Sequence, residues 1–486
     1  MVELVDTHVS GACGRKAVRV RLPPAAQDNH FIQKEDYPLF QQQTRSGSGA
    51  HQRPFPMTFR HLQASFYILV AFVLLLGCST SPGGQSAQRD TGWIKNAHYY
   101  ELPLDELSST SPMAYLKSKL LPHISSIGAN VLVFPPLMQH LPLERDTAGY
   151  YRYPICEPTK PHPTYGTLDS IRHVLRVCHE KGLKVVMTYP VWYRGICDTK
   201  AAGPRLTPHT KKRDLTSAKG QKELLDILQF WATNLPLDGF VLEGWQMIPK
   251  DFRQTIYSTL HHDGIGLIAD SQGAPYPTPM DADAYLNYAL YKTFEGIYNG
   301  AKNANDLETF VLDTTPSPVS IGFTSTLSLN YKEGTDIKHF KLAAKSFAEF
   351  ALLTQRASWL LAGQEIPASR AYSPSQKANL NYYRGGLVQA YRRIWNAPRE
   401  NPALQYNANT SLNTINLHNP NAVGLERKWR GYRWISIFNF SDSTSILLPD
   451  IDITNINAYI TEVSISIPKM DTLKMMRWQN LLLTKH

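Results

Sequence analysis

Short apolar runs alternate with longer amphipathic segments along most of the chain, and this alternation restricts the possible folds more than any other feature. The amphipathic segments, such as GQKELLDILQFWATNL, carry apolar residues at spacings of three and four, which predicts helices. The predicted strands are AHYYELPL, NVLVFPPLM, KVVMTYPV, GFVLEG, GIGLIADS, ETFVLDTT, FTSTLSLN and SWLLAGQEI. Such a repeated alternation is typical of a closed parallel barrel. We therefore expect an α/β fold, a (β/α)8 TIM barrel, over residues 93–398.

The pattern changes near Arg399, where short alternating runs rich in Asn, Ser and Thr begin. NTINLHN, RWISIFNFS and TSILLPD are examples. This pattern is typical of antiparallel strands, and it predicts a small β-sandwich over residues 399–486. The last residues, TLKMMRWQNLLLTKH, show no strong strand pattern.

The N-terminal part contains the uncharged run FYILVAFVLLL, which is followed at once by Gly77-Cys78-Ser79. Eleven residues are too few to cross a bilayer, which needs about 20 helical residues, but they suit a secretory signal. The tail LLGCS resembles the lipobox of bacterial lipoproteins. We expect a signal peptide over 57–77, a lipidated Cys78, a flexible tether over 78–92 and an exported protein anchored in the bacterial envelope. A buried or membrane-spanning segment is the alternative.

Residues 1–56 would precede that signal, where an exported protein rarely carries extra sequence. Met57 is a more natural start, so we interpret 1–56 as a spurious or disordered extension. The net charge of +10 includes no long Lys/Arg block, and nucleic-acid binding is not predicted. In an exported protein two of the five cysteines can pair, and Cys156 with Cys197 is favoured because Cys178 lies in a helical pattern. The odd number of cysteines leaves this pairing open.

Several distinctive segments occur once each along the chain, in a defined order. AGYYRYPI with HPTYGTLDSI, then HEKGLKVVMTYPV, LDGFVLEGWQMIPKDF, GIGLIADS, LSLNYKEG and LLAGQEIP follow one another. Over about residues 93–460 this order resembles the alpha-amylase family of glycoside hydrolases (family 13). The resemblance implies retaining cleavage of glycosidic bonds, for which two carboxyl groups lie about 5 to 5.5 Å apart.

The two carboxylates of the family correspond to Glu243 and Asp270, with their residue types interchanged. The family's nucleophile is an aspartate where Glu243 stands, and its acid/base is a glutamate where Asp270 stands. A misplacement of about 1 Å can cost on the order of a hundredfold in rate. The resemblance therefore implies an impaired active site, although a purely structural role for both carboxylates is also open.

Other family positions are altered too. The arginine beside the nucleophile corresponds to Val241, and an unpaired carboxylate in a cleft tends to take up a proton. The third aspartate corresponds to Lys332, preceded by Tyr331 in place of a histidine; a cation there would oppose the positively charged transition state. The polar positions of the third strand correspond to Thr188, Trp192 and Tyr193. No metal and no cofactor are expected at this site.

The segment 192–220, after the third strand, is shorter than the family's usual inserted domain. The cleft would then open to aromatic side chains, which suit stacking on sugar rings or packing at the rim. These side chains are Tyr150, Tyr151, Trp192, Tyr193 and Trp245.

The combined interpretation is an alpha-amylase-like envelope lipoprotein that binds carbohydrate, such as an α-glucan or another oligosaccharide, or acts as a scaffold. An active retaining α-glycosidase or transglycosidase that uses Glu243 and Asp270 is one alternative. A membrane-anchored accessory subunit of a transporter is another, and its protein partner would be unknown.

Overall fold

A computed structural model gives the conformation of most of the chain after residue 89. The residues that it describes are 90–107, 111–145, 151–194, 211–272, 276–311, 318–366, 371–372, 386–405, 410–453, 456–459 and 472–485. The chain divides into two compact units, Met1–Ser81 and Pro82–His486. All described residues belong to the second unit.

Eight parallel strands close into a barrel, which confirms the predicted fold class. Each strand pairs with the next one in the chain, and the last pairs with the first. The strands are β1 His98–Glu101, β2 Val131–Phe134, β3 Lys184–Pro190, β4 Gly239–Glu243, β5 Gly266–Asp270, β6 Ala284–Leu286, β7 Val319–Gly322 and β8 Ala357–Leu361.

Helices surround the barrel and bury their apolar faces against it, because each amphipathic segment has a single apolar side. Thr167 and Ser217 show how the sequence starts two of them, since their side chains accept hydrogen bonds from the first-turn backbone amides of Ser170 and Gly220. The helices are α1 Pro112–Tyr115, α2 Leu121–Ile127, α3 Leu168–Glu180, α4 Ala218–Asn234, α5 Lys250–His262, α6 Tyr288–Tyr298, α7 Glu308–Val311, α8 Leu327–Glu333, α9 Asp336–Phe340, α10 Ala343–Thr354 and α11 Gly386–Glu400.

Two of the eight predicted strands were wrong. ETFVLDTT was expected as the sixth strand, but Glu308–Val311 is helical and β6 lies earlier, at Ala284–Leu286. FTSTLSLN was expected as the seventh, but β7 is Val319–Gly322 and α8 occupies Leu327–Glu333. Thr326 caps α8 inside the second segment, and a capped helical turn, Ala304–Leu307, leads directly into the first. These local helix starts outweigh the strand-like composition.

The loops after β2 and β3 contain short antiparallel and parallel strand pairs. Glu144–Arg145 pairs with Tyr151–Arg152. A second small sheet contains Met138–His140, Ile155–Pro161, Tyr193–Arg194 and Lys211–Lys212. These pairs hold the loop that carries Arg152 at the end of the barrel where β4 ends at Glu243.

The C-terminal region is antiparallel, as predicted. A five-stranded sheet has the order β9 Ser411–Ile415, β10 Ala422–Trp429, β11 Tyr432–Asn439, β15 Asn480–Lys485 and β13 Asn457–Ala458, and a two-stranded sheet joins β12 Ser445–Leu447 to β14 Leu473–Met475. Leu447, Met475 and Leu483 share one apolar core between the two sheets. The last residues show no strong strand pattern in the sequence, yet they form β14 and β15.

Several predictions fall outside the described residues. They concern Cys78, the segments 1–56 and 57–77, most of the tether over 78–92, and Cys197. Cys156 is disulfide-bonded, and its partner lies outside the described residues, because Cys178 is a free, buried thiol. In the described part of the chain no helix has the length and apolar character needed to span a membrane.

Candidate functional site

The carboxyl ends of β4 and β5 bring Glu243 and Asp270 together at the mouth of the barrel. The two residues are directly paired across the parallel strands. The backbone ladder continues past them, since Val191 N donates to Glu243 O at 3.1 Å and Gly244 N donates to Asp270 O at 3.0 Å. The side chain of Glu243 is 13 % exposed, and Asp270 as a whole residue is 4 % exposed. The mouth is the end of a parallel barrel where active sites occur.

A buried arginine lies beside the two carboxyl groups. Arg152 Nη1 is 3.6 Å from Glu243 Oε2, and the Arg152 side chain has no exposed surface. The same guanidinium lowers the pKa of Asp270. The expectation that Glu243 lacks a cationic neighbour was therefore wrong. Val241 does stand on β4 without charge, but the loop after β2 supplies the guanidinium instead.

Asp270 lies near other polar side chains at the base of the mouth. Its Oδ1 atom and the hydroxyl group of Tyr288 are buried and have no hydrogen-bond partner among the described residues. Burial raises the pKa of Asp270, while Arg152, Tyr288 and Gln272 act in the opposite direction. Since burial is the largest effect, Asp270 keeps its proton to a higher pH than an ordinary aspartate.

A third carboxyl group, which the sequence analysis missed, belongs to Glu101 at the end of β1. Its Oε2 accepts hydrogen bonds from Trp359 Nε1 at 2.9 Å and from Leu327 N at 3.0 Å. The pKa of Glu101 is raised to about 8, mainly by burial and also by the nearby charges of Glu243 and Asp270, against the effect of the two hydrogen bonds. The sequence signal that could have identified Glu101 is its position at the end of a strand. Glu243 and Asp270 occupy the same position on their strands.

Lys332 does not follow a barrel strand. It stands near the C-terminal end of α8, where its Nζ is 3.5 Å from Glu333 Oε1. The prediction that Lys332 follows β7 at the site was wrong, because it depended on the misplaced seventh strand. Thr324 and Thr326, both buried, follow the true β7.

The expected aromatic mouth is only partly realised. Trp192 and Trp245 are 4 % and 0 % exposed, so the prediction that both line an open sugar-binding surface was wrong. The ring of Trp192 packs on Gly244, where an added Cβ would lie 2.4 Å from it. Tyr151 and Tyr331, both partly exposed, form the remaining pair, with ring centroids 5.3 Å apart. Tyr150 and the Tyr193 side chain lie outside the described residues.

The fold is similar to that of proteins whose structures have been solved. No family model and no curated protein sequence matches the chain. Many solved structures do. A noncanonic maltogenic alpha-amylase, AmyB from Thermotoga neapolitana, is similar with a TM-score of 0.67 and 13% identity, over 81% of this chain and 99% of that one. This protein has the alpha-amylase fold.

Two further alpha-amylases support the same fold assignment. The enzyme from Lactobacillus plantarum is similar with a TM-score of 0.64 and 16% identity, over 81% of this chain and 99% of that one. The enzyme from Geobacillus thermoleovorans, solved with acarbose, has a TM-score of 0.61 and 14% identity, over 80% and 98%. These identities are low, and the similarity therefore concerns the fold.

One group of potential metal ligands lies on the alpha-amylase-fold barrel, in its described part. Glu295, Glu333 and His339 bring one ligand atom each within 4.8 Å of one another. Lys292 already pairs with Glu295 at 2.5 Å and Lys332 with Glu333. The lysines neutralise both carboxylates, so the group is explained as an ion-pair network and we assign no metal to it.

Proposed function

We propose that the protein binds an oligosaccharide of α-linked glucose at the mouth of its barrel and that its capacity to hydrolyse this sugar is impaired. The observation that carries the proposal is the burial of Asp270, which is 4 % exposed at the end of β5. The site keeps the polar groups that a sugar needs. Asp270, the expected proton donor, lies too far from the position of the glycosidic oxygen.

Impairment follows from what a general acid must do. It has to come within about 2.6 to 3.2 Å of the glycosidic oxygen to deliver its proton. An aspartate is one methylene shorter than a glutamate, and Asp270 is buried at the end of β5, where it is 4 % exposed. A misplacement of about 1 Å lowers a rate on the order of a hundredfold.

Binding is supported by the composition of the mouth. Glu101 and Glu243 are partly exposed carboxyl groups that can hydrogen-bond, and the pair of Tyr151 and Tyr331 offers partly exposed ring faces. Aromatic faces with a few polar groups are the usual composition of small-molecule sites. The Geobacillus thermoleovorans structure contains acarbose, an observation on that protein which motivates the choice of an oligosaccharide.

An active retaining α-glycosidase is the second candidate, and the contact of Arg152 with Glu243 favours it. The positive charge of Arg152 beside Glu243 suits a nucleophilic carboxylate, while burial raises the pKa of Asp270, which suits an acid. Environments that push two carboxyl groups toward opposite protonation states are typical of glycosidases. The arrangement of charge thus favours catalysis, and the reach of Asp270 opposes it.

Titration of maltoheptaose into the full chain separates the two candidates when the products are analysed by chromatography. We expect saturable binding, reduced by Tyr151→Ala, with the sugar recovered intact. Hydrolysis that Glu243→Gln abolishes would establish the active glycosidase instead. The double variant Glu243→Asp with Asp270→Glu should gain turnover, because it restores the reach of the acid. Asp226→Asn, which alters an exposed carboxylate of α4, is the control and should change neither result.

We also propose that the protein is an exported lipoprotein anchored through Cys78. The LLGCS sequence after an eleven-residue apolar run supports this. Labelling cells with radioactive palmitate should mark the protein, and Cys78→Ala should remove the label. An unlabelled protein that remains in the membrane fraction would instead favour a spanning Phe66–Leu76 segment and the accessory-subunit alternative.

A further inference from the structure

Glu101 is anchored through one of its two carboxyl oxygens. Both of its hydrogen-bond donors, Trp359 Nε1 and Leu327 N, bind Oε2. Oε1 has no hydrogen-bond partner among the described residues. It is not fully buried either, so it retains some accessible surface. Glu101 itself is partly exposed. The side chain is therefore fixed in position with one oxygen available to a ligand.

The charged groups around Glu101 favour its neutral form. Glu243 on β4 and Asp270 on β5 are both close enough to raise its pKa, and Arg152 lies beside Glu243 rather than bonding to Glu101. Burial is the largest effect, and the pKa of Glu101 is about 8. At neutral pH most of the protein therefore carries a proton on Glu101. Because two donors occupy Oε2, that proton belongs on Oε1.

We propose that Glu101 is a recognition residue of the mouth, whose Oε1–H donates a hydrogen bond to a hydroxyl oxygen of the bound saccharide. This inference rests on the proposed function, since it names a residue of the same site. A neutral carboxylic acid can donate as well as accept, whereas a carboxylate only accepts. Glu101 would thus orient the sugar without adding charge to a mouth that already contains Glu243 and Asp270.

The affinity for the saccharide should depend on pH. A bound sugar displaces water from Oε1, and removing water disfavours the ionised form of a carboxyl group. A sugar hydroxyl could donate to the carboxylate, but it would replace the hydration of a charge that lies beside two other acidic groups. The saccharide should therefore bind the protonated protein more tightly. Affinity should be highest below the pKa of Glu101 and should fall as the pH rises through about 8.

Calorimetric titration of maltoheptaose into the full chain at pH 6 and pH 9.5 tests this consequence. We expect the affinity of the wild-type protein to fall about tenfold, the factor given by one hydrogen bond of about 1.4 kcal/mol. At pH 8, titrations in buffers of different ionisation enthalpy should reveal uptake of up to about half a proton on binding. Glu101→Gln retains an N–H donor at every pH, so its affinity should not change between the two pH values.

Glu349→Gln is the matched control, because Glu349 is a buried carboxyl group of α10 that binds Asn480 Nδ2 at 2.5 Å, away from the mouth. It should keep the wild-type pH dependence. A wild-type affinity that is equal at both pH values would overturn the role of Glu101, and so would an equal loss of affinity in Glu101→Gln. Absence of saturable binding at pH 6 in the wild-type protein would instead reject the proposed function. The wild-type measurements remain decisive if Glu101→Gln does not fold.

Discussion

At the scale of single residues, Arg152 places a buried positive charge beside the two strand-end carboxyl groups. It is fully buried, and it acts on Glu243 through an ion pair and on Asp270 through its charge. Removing one member of a buried ion pair is costly because the remaining charge keeps its desolvation penalty without its partner. Arg152 should therefore matter for stability as well as for ligand binding.

Arg152→Met is expected to lower the free energy of unfolding by about 3 to 5 kcal/mol, measured by urea denaturation at pH 7. Adding Glu243→Gln should restore part of this loss, since the isolated carboxylate is then removed. If the double variant is less stable than Arg152→Met alone, the ion pair does not account for the effect.

The meeting of two strand-end carboxyl groups could be predicted from the sequence, but the charged groups beside them could not. Glu243 and Asp270 were predicted to meet, and the structure pairs them directly across β4 and β5. Arg152 and Glu101 reach the same mouth from a loop and from another strand. A comparison of single positions with a family pattern cannot reveal the contact of Arg152 with Glu243, because this contact depends on how the loop after β2 folds.

At the scale of elements, the turn after β4 depends on Gly244. This residue has a φ of 81°, in the left-handed region, and an added Cβ would lie 2.4 Å from the Trp192 ring. Gly182 has a similar φ of 76°, but no atom lies within 4 Å of its added Cβ. Comparing alanine substitutions at the two glycines therefore separates the energetic cost of backbone strain from that of side-chain crowding.

Gly182→Ala should destabilise the protein by about 1 to 2 kcal/mol, the cost of a left-handed non-glycine residue. Gly244→Ala should cost more, by at least about 1 kcal/mol, because Trp192 must move. Thermal unfolding of both variants gives the comparison. Equal losses would show that the packing of Trp192 on the turn contributes nothing to stability.

Strand prediction succeeded where the apolar run was long and failed where capping decided the structure. β6 has only three residues, too few for a recognisable period, while ETFVLDTT follows Asn303 and Asp306, which form a capping box and begin a helical turn. Thr326 caps α8 in the same way by accepting from Leu329 N. β15 was missed because a continuous apolar run does not show the alternation of a half-exposed strand.

At the scale of the whole described molecule, the C-terminal sheets and the barrel share one apolar core. Phe347 of α10 stacks on Phe440 at 5.4 Å, and Phe350 meets Phe438 at 5.2 Å. Ser346 Oγ also donates to Asn480 Oδ1 at 2.6 Å. Parts that share a buried core of this kind unfold together, because neither can expose it alone without a large loss of apolar burial.

Calorimetry of the full chain should therefore give one unfolding transition for barrel and sheets, with a calorimetric enthalpy close to the van't Hoff enthalpy. Phe347→Ala should move that transition to lower temperature without splitting it. Two resolved transitions in the wild-type protein would show that the barrel and the C-terminal sheets are independent.

The central claim is that a sugar occupies the mouth of the barrel while Asp270 stays out of reach of the glycosidic bond. A crystal structure with acarbose tests it most directly. We predict sugar rings beside Tyr151 and Tyr331, with the Asp270 carboxyl group beyond hydrogen-bond reach of the linking atom, at more than about 3.5 Å. An Asp270 oxygen at about 2.6 to 3.2 Å from that atom, with Glu243 below the anomeric carbon, would contradict the account, as would a mouth without sugar.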